Sequence, residues 1–265
     1  MTPPAELLPS IVALAREAGG EILDFYQGEC SVQRKSDDSP LTAADLAAHR
    51  CIMEGLARLT PDVPCLSEES GDDSHGGRRG WTRFWLMDPL DGTREFLKRN
   101  GEFTVNIALI DNRRPVLGVV HAPVSDTIYY AAEGAGAWKQ VAAADPIRLH
   151  TVPTQQPPRL LVSRSHETPE LETLISRLPP HHVLRLGSSL KFCLVAEGGA
   201  DLYPRLGPTS EWDTAAGQCV VEQAGGAVTD TSGSPLRYNT KESPLNPSFL
   251  VAGESGYPWQ QYLSE

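Results

Sequence analysis

The chain has 265 residues, long enough for one large domain or two smaller ones that each bury an apolar core. It carries 34 acidic and 23 basic side chains, a formal net charge of −11, which disfavours binding to long nucleic acids or to an anionic membrane through charge alone. No apolar run is long enough to cross a bilayer, and the N-terminal residues lack the pattern of a signal peptide. The five cysteines are scattered and form no C-x-x-C pair, which favours free thiols in the cytoplasm over disulfides or a zinc site.

The N-terminal part of the chain predicts two helices followed by a set of short strands. Apolar side chains recur at helical spacing over residues 5–27, and a second helix starts near Thr42 with an apolar stripe from Leu46 to Leu59. The composition of residues 71–80 predicts a loop. Strand-like apolar runs then follow at 84–87, 103–110, 116–121 and 127–131.

Beyond residue 150, strands and helices alternate. A proline-rich stretch near 140–158 predicts a linker that contains one short strand. Strand and helix segments then alternate over 159–165, 169–178, 182–187, 189–199, 200–206, 212–226 and 227–230. We therefore predict two subdomains, an N-terminal α+β unit over 1–150 and a C-terminal α/β unit over 151–265.

The most informative segment is DPLDGT at 88–93, which directly follows an apolar strand. Pro89 and Gly92 favour a tight turn that brings the carboxylates of Asp88 and Asp91 together. Two close carboxylates repel each other unless a cation lies between them, and oxygen ligands without His or Cys favour Mg²⁺ over Zn²⁺. The backbone N–H groups of Gly92 and Thr93 could hold a phosphate. The alternative is an ordinary β-turn, for which Asp, Pro and Gly are equally typical.

Two further acidic groups occur at predicted element ends. Glu68 and Glu69 follow a short apolar stretch, and Asp213 lies in the first turn of a helix rich in small residues. Each has a simpler interpretation, Glu69 as a solvated loop charge and Asp213 as a helix cap. Three acidic clusters at element ends are together harder to explain by such local roles.

These segments resemble the paired signatures of the inositol monophosphatase superfamily, which are Mg²⁺-dependent, lithium-sensitive phosphatases. The resemblance is carried by Glu68-Glu69, by DPLDGT at 88–93 and by WDTAAG at 212–217. The segments SPLTAAD at 39–45, REFLKRNGEFTVNIALID at 94–111 and GSSLKFCLVAEG at 187–198 further resemble the bacterial 3'(2'),5'-bisphosphate nucleotidases of that superfamily. The resemblance implies a layered αβαβα sandwich, in the α+β or α/β class.

The resemblance also assigns roles to individual residues. The carboxylates of Glu68, Asp88, Asp91 and Asp213, with the backbone carbonyl of Leu90, are expected to hold two or three Mg²⁺ ions. Asp45 and Thr93, with Glu68, are expected to orient and activate the attacking water, although Asp45 could instead complete a capping box with Thr42. Glu69 is not expected to ligate the metal directly, but to hydrogen-bond a metal-bound water.

The expected substrate is adenosine 3',5'-bisphosphate or its sulfated relative, whose 3'-phosphate is hydrolysed to give AMP and phosphate. The residues that the resemblance implies in substrate binding are Gly92, Thr93, His166, Ser188, Ser189, Lys191, Arg205 and Asp213. Because the D-x-D-x-T pattern of enzymes that form an aspartyl-phosphate is absent, we expect direct attack by water. Two alternatives remain open, an inositol or sugar monophosphate phosphatase and a metal- and nucleotide-binding sensor without activity. We expect a cytoplasmic protein, with peripheral association at the inner membrane face left open and no oligomeric state indicated.

Overall fold

In a computed structural model, residues 2–26, 28, 32–34, 40–70, 77–165 and 168–263 are described. The chain begins with two packed helices, α1 (Pro4–Tyr26) and α2 (Ala43–Leu59), joined through a two-stranded ribbon of β1 (Val32–Arg34) and β2 (Pro40–Thr42). Both helices lie where periodicity predicts them. No helix in the described ranges is long and apolar enough to cross a membrane.

The predicted apolar stripe of α2 is partly wrong. Leu46 and Leu59 are exposed, at 36% and 40%, although Ile52 and Leu56 are buried as expected. A β-carbon at Gly55 would approach a methyl group of Leu14 to 2.4 Å. At Gly55 α1 therefore packs too closely for a side chain, whereas Ile52 and Leu56 still fit in the buried face of α2.

A seven-stranded sheet forms the N-terminal layer. Its strands are β3 (Cys65–Ser67), β4 (Arg83–Asp91), β5 (Thr104–Asp111), β6 (Arg114–Ala122), β7 (Thr127–Ala132), β8 (Gly136–Val141) and β9 (Ile147–Arg148). They lie side by side in sequence order, β3 parallel to β4 and every later pair antiparallel. A short helix, α3 (Thr93–Leu97), leaves the end of β4. The four strands predicted between 84 and 131 are confirmed; part of the predicted loop at 71–80 lies outside the described residues.

A five-stranded sheet forms the C-terminal layer. Its elements in chain order are β10 (Arg159–Ser163), α4 (Pro169–Arg177), β11 (His182–Leu186), α5 (Leu190–Ala196), β12 (Leu202–Arg205), α6 (Glu211–Gln223), β13 (Ala227–Asp230) and β14 (Phe249–Ala252). The strand order is β11-β10-β12-β14-β13, with β10 parallel to β11 and β12 and the β14 pairs antiparallel. The alternation predicted from the sequence is confirmed, and β14 is an additional strand.

The two sheets and the helices stack in five layers, which confirms the predicted αβαβα sandwich. Helices α1 and α2 cover one face of the seven-stranded sheet, and α5 and α6 lie between the two sheets. Helix α4 and the 3₁₀ turn Trp259–Tyr262 cover the outer face of the five-stranded sheet. A β-carbon at Gly118 in β6 would approach the carbonyl oxygen of Ala216 to 2.4 Å, so α6 lies directly on the sheet. The chain passes from one sheet to the other between Arg148 and Arg159.

Candidate active site

A polar cleft of about 350 Å³ opens where the two sheets meet. The end of β4 and the start of α3 form one wall, and the N-terminal ends of α5 and α6 form another. The pairing of β4 with β5 is shifted between Asp88 and Asp91, so the strand is irregular at the DPLDGT segment. Gly92 has φ = 94°, a left-handed conformation that favours glycine and turns the chain into α3.

Three carboxylates meet at one end of this cleft. Oxygens of Glu68, Asp88 and Asp213 all lie within 4.8 Å of one another. Asp88 Oδ1 also accepts a hydrogen bond from the N–H of Leu90 at 3.0 Å, which fixes its orientation. Burial, and then the neighbouring negative charges, raise the pKa of Asp88 and of Asp213 well above their usual range. This is a cluster of oxygen ligands that could bind a metal ion.

Asp91 is oriented by the C-terminal half of the chain. Its Oδ2 accepts hydrogen bonds from the N–H of Ser189 at 2.6 Å, from Ser188 Oγ at 2.7 Å and from Ser189 Oγ at 2.9 Å. Ser189 Oγ is also 2.6 Å from the backbone carbonyl oxygen of Asp213. These bonds all use Oδ2, so Oδ1 is the oxygen that can turn towards a bound ion. The two serines, predicted as substrate contacts, here contact a predicted metal ligand.

Asp45, which is 1% exposed, lies next to Thr93, which lines the cleft. Asp45 Oδ2 accepts hydrogen bonds from the N–H of Thr42 at 2.8 Å and from its hydroxyl at 2.5 Å. Asp45 Oδ1 faces Thr93 Oγ1 at 3.4 Å, a long distance for a hydroxyl–carboxylate hydrogen bond. The capping box foreseen for Asp45 is thus present, and the same carboxylate also faces Thr93.

Lys191 and Arg205 are two of the basic side chains that line the cleft. Lys191 is 5% exposed, and its Nζ donates to the carbonyl oxygen of Ser188 at 2.5 Å while lying 5.2 Å from the ring centre of Tyr203. Burial lowers the pKa of Lys191 to about 8, and the charge of Asp91 opposes that shift. Arg205 donates from Nε to the hydroxyl of Thr209 at 2.7 Å. The cleft is therefore lined both by a carboxylate cluster and by basic side chains.

The comparisons with known proteins place the chain in a family. A model of the inositol monophosphatase family matches residues 4–256. The chain belongs to that family. A 3'(2'),5'-bisphosphate nucleotidase CysQ of Escherichia coli (strain K12) is 53% identical over 250 residues, covering 93% of this chain and 99% of the relative. One of Haemophilus influenzae is 37% identical over 256 residues, covering 96% and 95%.

Solved structures of the inositol monophosphatase family share the fold. The crystal structure of CysQ from Bacteroides thetaiotaomicron is 42% identical, has a TM-score of 0.80, and covers 92% of this chain and 96% of its own. An inositol monophosphatase from Anabaena (Nostoc) sp. PCC 7120 is 27% identical with a TM-score of 0.77, covering 97% and 95%.

The remaining predicted residues lie at the margin of the site or beyond the described chain. Glu69 follows Glu68 in the turn after β3, where its N–H donates to Ser67 Oγ at 3.2 Å. His166 lies outside the described residues. Several further residues line the cleft without a role predicted from the sequence: Arg94, Glu95, Ser163, Pro208, Thr209, Ser210, Trp212 and Leu245. Arg94 and Glu95 could have been predicted as site residues because they follow Thr93 in the sequence. Ser163 and Leu245 are far from the predicted motifs in the sequence.

Proposed function

We propose that this member of the inositol monophosphatase family is a Mg²⁺-dependent 3'(2'),5'-bisphosphate nucleotidase. It would hydrolyse the 3'-phosphate of adenosine 3',5'-bisphosphate, or of its sulfated relative, to leave the 5'-phosphorylated nucleoside and phosphate. The observation that carries the proposal is one cleft with a carboxylate cluster at one end and buried Lys191 on its side. The 53% identity to a nucleotidase of that name supports the same substrate.

The donor set of the cleft fits Mg²⁺. Glu68, Asp88 and Asp213 offer only oxygen atoms, and burial without a cation raises the pKa of Asp88 and Asp213, so a divalent ion would relieve their repulsion. Asp91 Oδ1 and the carbonyl oxygen of Leu90 complete the proposed ligand set for two or three ions. Bound Mg²⁺ supplies charge for the phosphate oxygens and lowers the pKa of a water molecule.

The chain's own residues would orient the attacking water. In the proposed roles, Thr93 donates its hydroxyl proton to Asp45 Oδ1 and so presents a lone pair that accepts a hydrogen bond from water. Asp45, held by Thr42, is the nearby carboxylate that can take up a proton as water attacks phosphorus. Glu68 would ligate the metal and so help to position the same water. Glu69 would not ligate the metal itself but would hydrogen-bond a metal-bound water. Attack by water needs no nucleophilic side chain, which agrees with the sequence prediction of a direct route.

The rest of the cleft would bind the substrate. Lys191 and Arg205 would hold the second, non-scissile phosphate, since both are cationic and line the same cleft. Backbone N–H groups of Gly92 and Thr93 would contact the scissile phosphate. Ser188 and Ser189 would act mainly by holding Asp91, which refines their predicted role. The proposed contact by His166 rests on the family resemblance alone.

Two alternatives are less well supported. An inositol monophosphate carries one phosphate and gives Lys191 no anionic partner, and the Anabaena inositol monophosphatase shares only 27% identity. A sensor without activity would have no use for the Asp45–Thr93 arrangement. We also propose a cytoplasmic location, since the described cysteines Cys51, Cys65, Cys193 and Cys219 are free thiols.

A phosphate-release panel tests the proposed function. Purified protein is incubated with adenosine 3',5'-bisphosphate, inositol 1-phosphate and fructose 1,6-bisphosphate, each with Mg²⁺ or with a chelator. We expect the highest kcat/KM for the nucleotide and no release in the chelator. A higher kcat/KM for inositol 1-phosphate would favour the sugar phosphatase alternative. No release from any substrate would favour the sensor.

A further inference from the structure

Glu95 is a buried carboxylate in the wall of the cleft, two residues after Thr93. It is 4% exposed and lines the cleft beside Ser163 and Gly187. Ser165 Oγ donates a hydrogen bond to Glu95 Oε1 at 2.5 Å. Within the part of the chain that the structure describes, no hydrogen bond reaches Oε2 and no Lys or Arg forms an ion pair with Glu95. Oε1 is therefore anchored, whereas Oε2 is not among the buried side-chain atoms that lack a partner, so it is open to the cleft.

The surroundings hold this carboxylate in place. A β-carbon at Gly187 would lie 2.8 Å from Glu95 Cγ, so the chain packs tightly against the side chain. Lys98 Nζ donates to Ser165 Oγ at 3.1 Å, which fixes the hydroxyl that anchors Oε1. A carboxylate oxygen that is fixed in position and open to the cleft is an acceptor that a bound ligand can reach.

The charge of Glu95 restricts what can bind against it. A phosphate group would be repelled, so neither phosphate of the substrate can lie at Oε2. Burial lowers the pKa of Lys191 and the charge of Glu95 opposes that shift, so the two side chains, which both line the cleft, are close enough to interact. The donors of a nucleoside bisphosphate that remain are its ribose hydroxyl and the amino group of its adenine.

We propose that Glu95 is a specificity-determining residue whose carboxylate accepts a hydrogen bond from an O–H or N–H group of the nucleoside half of the substrate. The inference rests on the proposed function, because it assumes that a nucleoside lies in this cleft. Glu95 would then select nucleotides over phosphorylated compounds that have no donor at that position.

Substrate analogues and variants of Glu95 together test this role. Wild type, Glu95→Gln and Glu95→Asp are assayed on adenosine 3',5'-bisphosphate, on its 2'-deoxy analogue and on the purine riboside analogue that lacks the amino group. Gln keeps the shape of the side chain and its oxygen acceptor for Ser165. Asp keeps the charge but, because its side chain is one methylene shorter, moves the carboxylate back from the cleft. Glu170→Gln, on the exposed first turn of α4, removes the same charge away from the cleft and serves as the matched control.

We expect wild type to prefer the parent over one analogue by about tenfold or more in kcat/KM, as a hydrogen bond to a charged group implies. That preference should fall below about threefold in Glu95→Gln and stay unchanged in Glu170→Gln. Loss with the 2'-deoxy analogue identifies the ribose hydroxyl as the donor, and loss with the purine riboside identifies the amino group. Equal rates of wild type on all three nucleotides would overturn the role of Glu95, even if no Glu95 variant folds. Failure of wild type to hydrolyse the parent would instead overturn the proposed function.

Discussion

Ser189 donates both its backbone N–H and its hydroxyl to the same carboxylate oxygen of Asp91, at 2.6 and 2.9 Å, across 98 residues of sequence. Ser188 adds a third bond to that oxygen at 2.7 Å. The five-stranded sheet's half of the molecule thereby orients a carboxylate carried by the seven-stranded sheet. The two halves of the cleft depend on each other, since Asp91 would lose its fixed orientation without the turn before α5.

Ser189→Ala should weaken Mg²⁺ binding. The change removes the hydroxyl contacts with Asp91 and with the carbonyl oxygen of Asp213, so we expect the Kd for Mg²⁺ to rise about tenfold, as for other residues that support metal ligands. Isothermal titration calorimetry measures the Kd without any turnover. Ser176→Ala, on an exposed face of α4, is the matched control and should leave the Kd unchanged. An unchanged Kd in Ser189→Ala would show that the hydroxyl does not orient Asp91.

Asp88→Asn should stabilise the metal-free protein while abolishing activity. Burial and three neighbouring carboxylates raise the pKa of Asp88, so its charge is unfavourable in the folded state at pH 7. Asn removes the charge, and its carbonyl oxygen can still accept from the N–H of Leu90. We expect a Tm in chelator a few degrees above that of wild type.

Adding Mg²⁺ should reverse that order. Wild type should gain stability with Mg²⁺ concentration because the folded state alone binds the ion, whereas Asp88→Asn should gain little. Differential scanning calorimetry with and without Mg²⁺ measures both effects. A variant that unfolds well below wild type in chelator would contradict the unfavourable charge inferred for Asp88.

The activity on a doubly phosphorylated substrate should depend on the protonation of Lys191. Burial lowers its pKa to about 8 from an ordinary value of 10.5, and only the ammonium form attracts phosphate. We expect kcat/KM for adenosine 3',5'-bisphosphate to fall as pH rises through about 8. Lys191→Arg should not show this fall because the guanidinium stays charged.

The matched substrate for Lys191 is adenosine 3'-monophosphate, which lacks the second phosphate. Its kcat/KM should not show the fall near pH 8, and Lys191→Met should raise KM for the bisphosphate alone. Because folding lowers the pKa of Lys191, the unfolded chain binds more protons than the folded chain between pH 8 and 10.5. The contribution of Lys191 to the free energy of unfolding therefore rises with pH over that range, which stabilises the folded state. Identical pH profiles for both substrates would rule out Lys191 as the phosphate contact.

Arg78 should be a major contributor to stability, unlike its neighbour Arg79. Arg78 is 2% exposed and donates to Asn239 Oδ1 at 2.6 Å and to the carbonyl oxygen of Lys241 at 3.1 Å. Arg78→Ala leaves the buried side chain of Asn239 without this donor, and we expect the free energy of unfolding measured by urea denaturation to fall by about 3 kcal/mol. Arg79 is 60% exposed, so Arg79→Ala should cost less than about 1 kcal/mol. Equal losses in the two variants would contradict this difference.

Local patterns were enough to predict most elements of this fold. The apolar spacing of α1 and the runs that become β4 to β7 depend on residues close in sequence, and so does the turn at DPLDGT. Leu46 shows where such patterns fail, because it is apolar at helical spacing and still exposed. Whether Leu46 is buried depends on where α1 packs against α2, and the spacing of residues within α2 gives no information about that packing.

Contacts between distant segments account for what the sequence could not show. The bonds from Ser188 and Ser189 to Asp91 join opposite halves of the chain, and no spacing within 187–189 predicts them. The same holds for Arg78 and Asn239, which are 161 residues apart. Glu95 lies two residues beyond the DPLDGT segment, yet its burial becomes visible only when Ser165 and Gly187 are in place.

The most direct measurement is product analysis of adenosine 3',5'-bisphosphate hydrolysis in ¹⁸O-labelled water with Mg²⁺, followed by ³¹P NMR and mass spectrometry. Attack by water at the 3'-phosphate should give 5'-AMP and phosphate with one ¹⁸O atom, and Asp91→Asn should give neither. Formation of 3'-AMP, or label in the nucleotide instead of the phosphate, would contradict the proposed site and route of hydrolysis.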